Sequence, residues 1–185
     1  MDDIKKYVND NLHKEMGIIS STGRNNEYPQ LSVYEKAVIY KYSDRGFADL
    51  NSELRKSKGM TFSELATYLD ESISKLDDYY GLVFRKVYLT DDEIQRYADA
   101  LTNDEDLTEY TFISTTKSAL FASLFTGTNK FPANCLFRMA IIHGKEIDKI
   151  AKFDEKEVLI RPNSIHQILG IKKENGLTTI TMEEI

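Results

Sequence analysis

The chain has 185 residues, enough for one domain whose hydrophobic core needs neither a disulfide framework nor a structural metal. Acidic residues outnumber basic ones, 30 to 24, and no basic stripe runs along the chain, which argues against a nucleic-acid partner. The single Cys135, followed by Leu136 and Phe137, rules out an intramolecular disulfide and fits a buried thiol, not a nucleophile. The chain begins Met1-Asp2-Asp3-Ile4-Lys5-Lys6, and no apolar run reaches the ~18 residues of a membrane span, so the sequence predicts a soluble protein with no secretory signal and no membrane address.

Apolar residues in the first half recur at three and four, and Ser/Thr-x-x-Glu signatures open segments at Ser32, Thr61 and Thr90. The pattern predicts helices near residues 3–15, 32–42, 46–57, 62–76 and 91–101, with a loop at Asn25-Asn26 to Pro29 and a stop at Lys58-Gly59. Residues 1–20 are readable as a docking arm or as a lid on the core. The second half gathers β-branched and aromatic residues into short runs, predicting strands at 82–89, 110–115, 136–142, 157–160 and 165–172. Helices followed by strands indicate an α+β domain. His143-Gly144 marks a strand end and turn, and Gly127-Thr128-Asn129-Lys130 a mobile loop; His13, His143 and His166 lie on separate segments with no metal spacing.

Three short signals carry chemistry. In Gly81 to Leu89, alternation puts Arg85 on the face of Val83 and Val87. Two readings stand: a long side chain snorkelling to water from an edge strand, or a rigidly held guanidinium whose fork takes phosphate oxygens. Tyr110 to Thr116 is a strand ending in three hydroxyls ahead of a helical stretch, Lys117 to Phe125. Thr116 suits an N-cap, whereas Ser114 comes too early for one and is free to donate a hydrogen bond inside a cleft. Finally, Glu155 and Glu157 stand two apart before Val158-Leu159-Ile160, and in extended chain they would point the same way. They fit either a charged gatekeeper on an aggregation-prone strand or a pair in which one pKa is raised by the other's charge.

Arg85, Ser114-Thr115-Thr116 and Glu155-Lys156-Glu157-Val158-Leu159, in that order, resemble the arginine-type mono-ADP-ribosyltransferase family, whose pattern is a strand arginine, Ser-Thr-Ser and Glu-x-Glu. Residues 35–42 and 46–55 resemble the helical lead-in of bacterial binary-toxin enzymes, so the resemblance runs over 31–172 of a single 1–185 domain, with 1–30 as a helical extension. It implies two small β-sheets packed at a steep angle around an NAD cleft, with helices in front. It also implies transfer of ADP-ribose from NAD to a protein arginine with release of nicotinamide and without a metal; NAD hydrolysis and a catalytically degenerate interaction domain are the alternatives.

The roles implied are specific. Arg85 would grip the NAD phosphates, Ser114 would orient the catalytic carboxylate, and Glu157 would bind the nicotinamide ribose and stabilise positive charge as the glycosidic bond breaks. Glu155 would align the acceptor guanidinium and help take its proton. Thr115, Phe125 (or Phe121), Tyr42, Phe47 and Asn51 would line NAD, with core packing as the other reading of the aromatics, and Phe153 would help choose the protein substrate. Two positions depart from the pattern: Thr116 replaces a serine, and Lys86 stands where many relatives have glycine, leaving its backbone for the nicotinamide amide and its charge for a phosphate. The implied protein is monomeric, a secreted or injected effector acting in the cytosol of a target cell.

Overall fold

A computed structural model describes residues 2–185, apart from the side chains of residues 2 and 45–47. The N-terminal half is helical, as expected. The helix predicted at 3–15 is two, α1 (Asp2–Asn11) and α2 (His13–Ser21), broken at Leu12 where the chain turns to bury that side chain. Val8, Leu12 and Ile19 all enter the core, so this segment is a lid on the helical core. A 3-10 turn at Gly23–Asn26 occupies the expected loop and leads to α3 (Val33–Lys41). The Ser32–Glu35 capping box forms there, with the Ser32 N–H donating to Glu35 Oε2 at 2.7 Å.

A π-helical turn, Tyr42–Gly46, comes next, then α4 (Phe47–Lys56) and α5 (Glu64–Ile73). Gly59, at φ +70°, closes α4 by returning its N–H to the Leu54 carbonyl at 2.8 Å. The cap of α5 is Ser63, not Thr61: its Oγ accepts from the Ala66 N–H at 3.4 Å. Further on, Thr90 and Glu93 form the second expected capping box, opening α6 (Asp91–Asn103).

The strands are β1 (Asp78–Val87), β2 (Leu107–Glu109), β3 (Ile113–Thr116), β4 (Cys135–Glu146), β5 (Glu157–Ile160), β6 (Ser164–Glu174) and β7 (Leu177–Glu184), with a short α7 (Ala119–Leu124) after β3. Their order is β1-β3-β5-β4-β7-β6-β2, and β1 also pairs with β4. The two expected sheets are thus hydrogen-bonded into one, with β1 and β4 shared between a portion holding β3 and β5 and a portion holding β7, β6 and β2. Tyr110 to Phe112 does not extend β3, because Asn51 takes over its backbone: the Phe112 N–H donates to Asn51 Oδ1 at 3.1 Å, and Asn51 Nδ2 donates to the Phe112 carbonyl at 3.0 Å. The sequence reading missed β7, the hairpin partner of β6 across Asn175-Gly176, both at positive φ. Segment 127–130 is part of a hydrogen-bonded turn, Thr128 and Phe131 exchanging backbone bonds.

Two apolar clusters result. One lies among the helices, around Ile39, Leu54, Leu69 and Phe112; the other lies against the sheet, around Val83, Phe137, Met139 and Met182. Strand β5 joins them: all four of its residues are buried, with Leu159 in the first cluster and Val158 and Ile160 in the second. His143-Gly144 falls inside β4, not at its end. A Cβ at Gly144 would stand 2.5 Å from Ile141 Cδ1 and 2.6 Å from Val158 Cγ1, both on buried residues. Gly144→Ala is therefore expected to cost about 1–3 kcal/mol through overpacking, read as a lower urea midpoint at unchanged slope. No helix among the described residues is long and apolar enough to cross a membrane.

Candidate active site

Adjacent strands β1, β3 and β5 bring Arg85, Ser114 and Glu157 together. Arg85 Nη1 donates to the Ser114 carbonyl at 2.7 Å, and Ser114 Oγ donates to Glu157 Oε1 at 2.5 Å. The arginine that alternation placed inward is held by the next strand instead of snorkelling out. Glu157 is only 9% exposed. Burial pushes its pKa above the usual carboxylate value; the Ser114 hydroxyl and the Arg85 charge pull it down, while Glu155 and Asp148 push it further up.

The Glu155–Glu157 pair is not the extended arrangement the spacing suggested. Lys156 between them is at φ +53°, β5 begins only at Glu157, and Glu155 is exposed on the loop of residues 147–156. The turn is fixed by the last residue of β3 and its neighbour: Thr116 Oγ1 donates to the Glu155 carbonyl at 2.6 Å, and the Lys117 N–H donates to the Lys156 carbonyl at 3.1 Å. Thr116 is consequently no helix cap; Ser118 caps α7, its Oγ accepting from the Phe121 N–H at 3.3 Å. Thr115 is buried and donates to the Val158 carbonyl at 2.6 Å, binding β3 to β5.

Other candidates fall around this centre. Tyr42 is 1% exposed and packs on Phe112 with ring centroids 5.8 Å apart; burial raises its phenol pKa, and Arg85 and Glu157 lie within electrostatic reach. It backs the site from the core. Asn51 braces Phe112 with both ends of its amide, while the side chain of Phe47 lies outside the described residues. Lys86 Nζ reaches the Ser123 carbonyl at 3.3 Å. Phe125 and Phe121 are both exposed, so neither belongs to the core. Phe153 is also exposed, with the Lys152 ammonium 5.2 Å from its ring centre.

A cavity of about 350 Å³ is lined by Arg85 together with Asn51 and Arg55 of α4 and Phe137 and Met139 of β4. Arg55 escaped the sequence reading; its signal was the i, i+4 spacing from Asn51, which puts both on one helix face. Arg96, Glu93 and Glu109 line the cavity as well, Arg96 being paired with Glu109, so the lining is mixed. Arg85 and Arg55 suit the anionic part of a ligand, and the aromatic and aliphatic side chains its flat part. Among the described residues no cluster of three His, Cys, Asp or Glu is placed to hold a metal ion.

No family model matches the chain, and no curated protein matches it in sequence. Solved structures do match. The ADP-ribosyltransferase HopU1 of Pseudomonas syringae pv. Tomato superposes with a TM-score of 0.81 at 19% identity, covering 94% of this chain and 87% of that one. Vis toxin, an ADP-ribosyltransferase from Vibrio splendidus, gives 0.62 at 22% identity over 100% and 86%. The C3 exoenzyme of Clostridium limosum gives 0.64 at 18% identity over 100% and 94%. The chain has the ADP-ribosyltransferase fold. Within that fold the likeness reaches beyond residues 31–172 to take in the N-terminal helices, which the short motifs had left outside. At these identities it is a likeness of fold, and the chemistry rests on the residues themselves.

Proposed function

We propose that the chain transfers ADP-ribose from NAD to an arginine side chain of a protein, with release of nicotinamide. The observation that carries this reading is the relay Arg85–Ser114–Glu157 beside a cavity that Arg85 and Arg55 help to line. Arg85 and Arg55 would bind the NAD phosphates, with the adenosine end in the cavity that they line. Glu157, fixed by Ser114, would face the ribose carbon that becomes electron-poor as nicotinamide leaves, and a buried anion aimed at developing positive charge stabilises that transition state. Thr115 holds the strand pair, and Tyr42 and Asn51 support it from behind. Phe125 or Phe121 would stack on nicotinamide, and Lys86 would add charge near the phosphates.

Glu155, exposed and in electrostatic contact with Glu157, would align the incoming guanidinium and accept its proton as the new bond forms. Phe153, two residues before it on the loop, would contact the target protein. Vis is named a toxin, and the same role is proposed here: an effector that modifies a protein in the cytosol of another cell.

The test is incubation with labelled NAD in the presence of poly-arginine or a cell lysate, with mass spectrometry to read the acceptor residue. Glu155→Gln is expected to lower labelling about 100-fold while nicotinamide release in the absence of acceptor falls only a few-fold. Label on a residue other than arginine would overturn the acceptor assignment. Nicotinamide release with no labelled protein at all would indicate that water is the acceptor, and absence of NAD binding by calorimetry would leave an interaction domain without activity.

A further inference from the structure

The loop between β4 and β5 is fastened at both ends and displayed in its middle. Ile147 and Ile150 are sunk in the helical core, and Ala151 after them is buried. At the next step Arg24, on the 3-10 turn, directs Nε and Nη2 to the Ala151 carbonyl at 3.3 and 3.2 Å, with Nη2 also 3.4 Å from the Lys152 carbonyl. The Lys152 N–H donates to Ser43 Oγ at 2.9 Å, and its ammonium pairs with Asp44 at 2.5 Å. On the far side Thr116 and Lys117 hold the carbonyls of Glu155 and Lys156. Phe153, Asp154 and the Glu155 side chain stand exposed between these two clamps.

A guanidinium suits the first clamp: its planar fork donates to neighbouring carbonyls at once, it stays charged at any working pH, and here it also lies 5.6 Å from the centre of the Tyr40 ring. The exposed Lys149–Glu27 pair on the same stretch contributes little, since surface ion pairs are screened. Neither Arg24 nor Ser43 lines the cavity or bonds Glu157.

We infer that Arg24, together with Ser43, is a positioning residue for the acceptor: it sets where Phe153 and Glu155 are presented and so decides whether ADP-ribose goes to a protein or to water. This rests on the transferase reading above. Bond breaking at Glu157 proceeds without it.

The experiment compares wild type, Arg24→Ala, Arg24→Lys and Ser43→Ala with labelled NAD and poly-arginine, reading labelled polymer and free nicotinamide in the same reaction, alongside hydrogen exchange of the 153–156 amides. In Arg24→Ala and Ser43→Ala the ratio of transfer to nicotinamide release is expected to drop about tenfold, because a misplacement of about 1 Å is enough for that. Nicotinamide release without acceptor and NAD affinity stay within about twofold, and the 153–156 amides exchange faster. Arg24→Lys, able to reach one carbonyl, recovers part of the ratio. An unchanged ratio, or an equal fall in transfer and release, overturns the inference. If wild type releases no nicotinamide or labels no poly-arginine, the underlying reading fails instead, and the exchange data alone decide the anchoring: unaltered exchange overturns it. Should Arg24→Ala not fold, Ser43→Ala carries the same comparison.

Discussion

Glu157→Gln is expected to lower nicotinamide release by on the order of 10³-fold with little change in NAD affinity. The substitution keeps shape and keeps an oxygen for the Ser114 hydroxyl, so it removes the charge and little else. Its effect on stability should be opposite in sign to its effect on rate. Burial raises the folded-state pKa of Glu157 above its unfolded value, so the folded chain holds that proton more tightly; stability is then lost as pH rises through the window between the two values, and the cost is fully present above it. The neutral amide escapes that cost. Glu157→Gln should melt at or above the wild-type temperature at neutral pH, and an inactive variant that also melts well below wild type would count against this account.

Ser114→Ala should shift the pH dependence of the reaction. In the proposed reaction the ionised form of Glu157 is the working one, so nicotinamide release is expected to decline as pH falls through its raised pKa. The Ser114 hydroxyl is the strongest of the influences that favour the ionised form, and without it the remaining pressures, burial and the charges of Glu155 and Asp148, push the pKa higher still. A charge-assisted hydrogen bond is worth about 1.5–3 kcal/mol, so the acid limb of release should move up by about 1–2 pH units, with activity recovered at alkaline pH. The check is a kcat/KM profile of both proteins against pH. An acid limb at the same pH in both would mean that the hydroxyl does not set the proton affinity of Glu157.

Much of the site was legible because its parts sit on regular elements. Alternation along β1 turned Arg85 inward, the position of Ser114 ahead of any helix cap marked it as free to act, and β5 was bounded to the residue by Val158-Leu159-Ile160. What escaped depended on contacts distant in sequence. The turn at Lys156 is dictated by Thr116 and Lys117, some forty residues earlier, and no local pattern distinguishes it from an extended Glu-x-Glu. Asn51 likewise replaced a stretch of predicted strand by bonding the Phe112 backbone across 61 residues. Strand β7 was hidden for another reason: its inward positions include Thr178 beside Ile180 and Met182, and its end is acidic, so the apolar alternation was weak even though the Asn175-Gly176 turn announced a hairpin.

Strand β5 carries one more consequence. Val158, Leu159 and Ile160 form a wall common to both apolar clusters, and Glu157 is the buried residue that opens the strand. Loosening either cluster would let water reach that carboxylate, relax its raised proton affinity and release its grip on Ser114. No half-folded form could then keep the proposed chemistry, and nicotinamide release is expected to be an all-or-none gauge of whether the fold has closed.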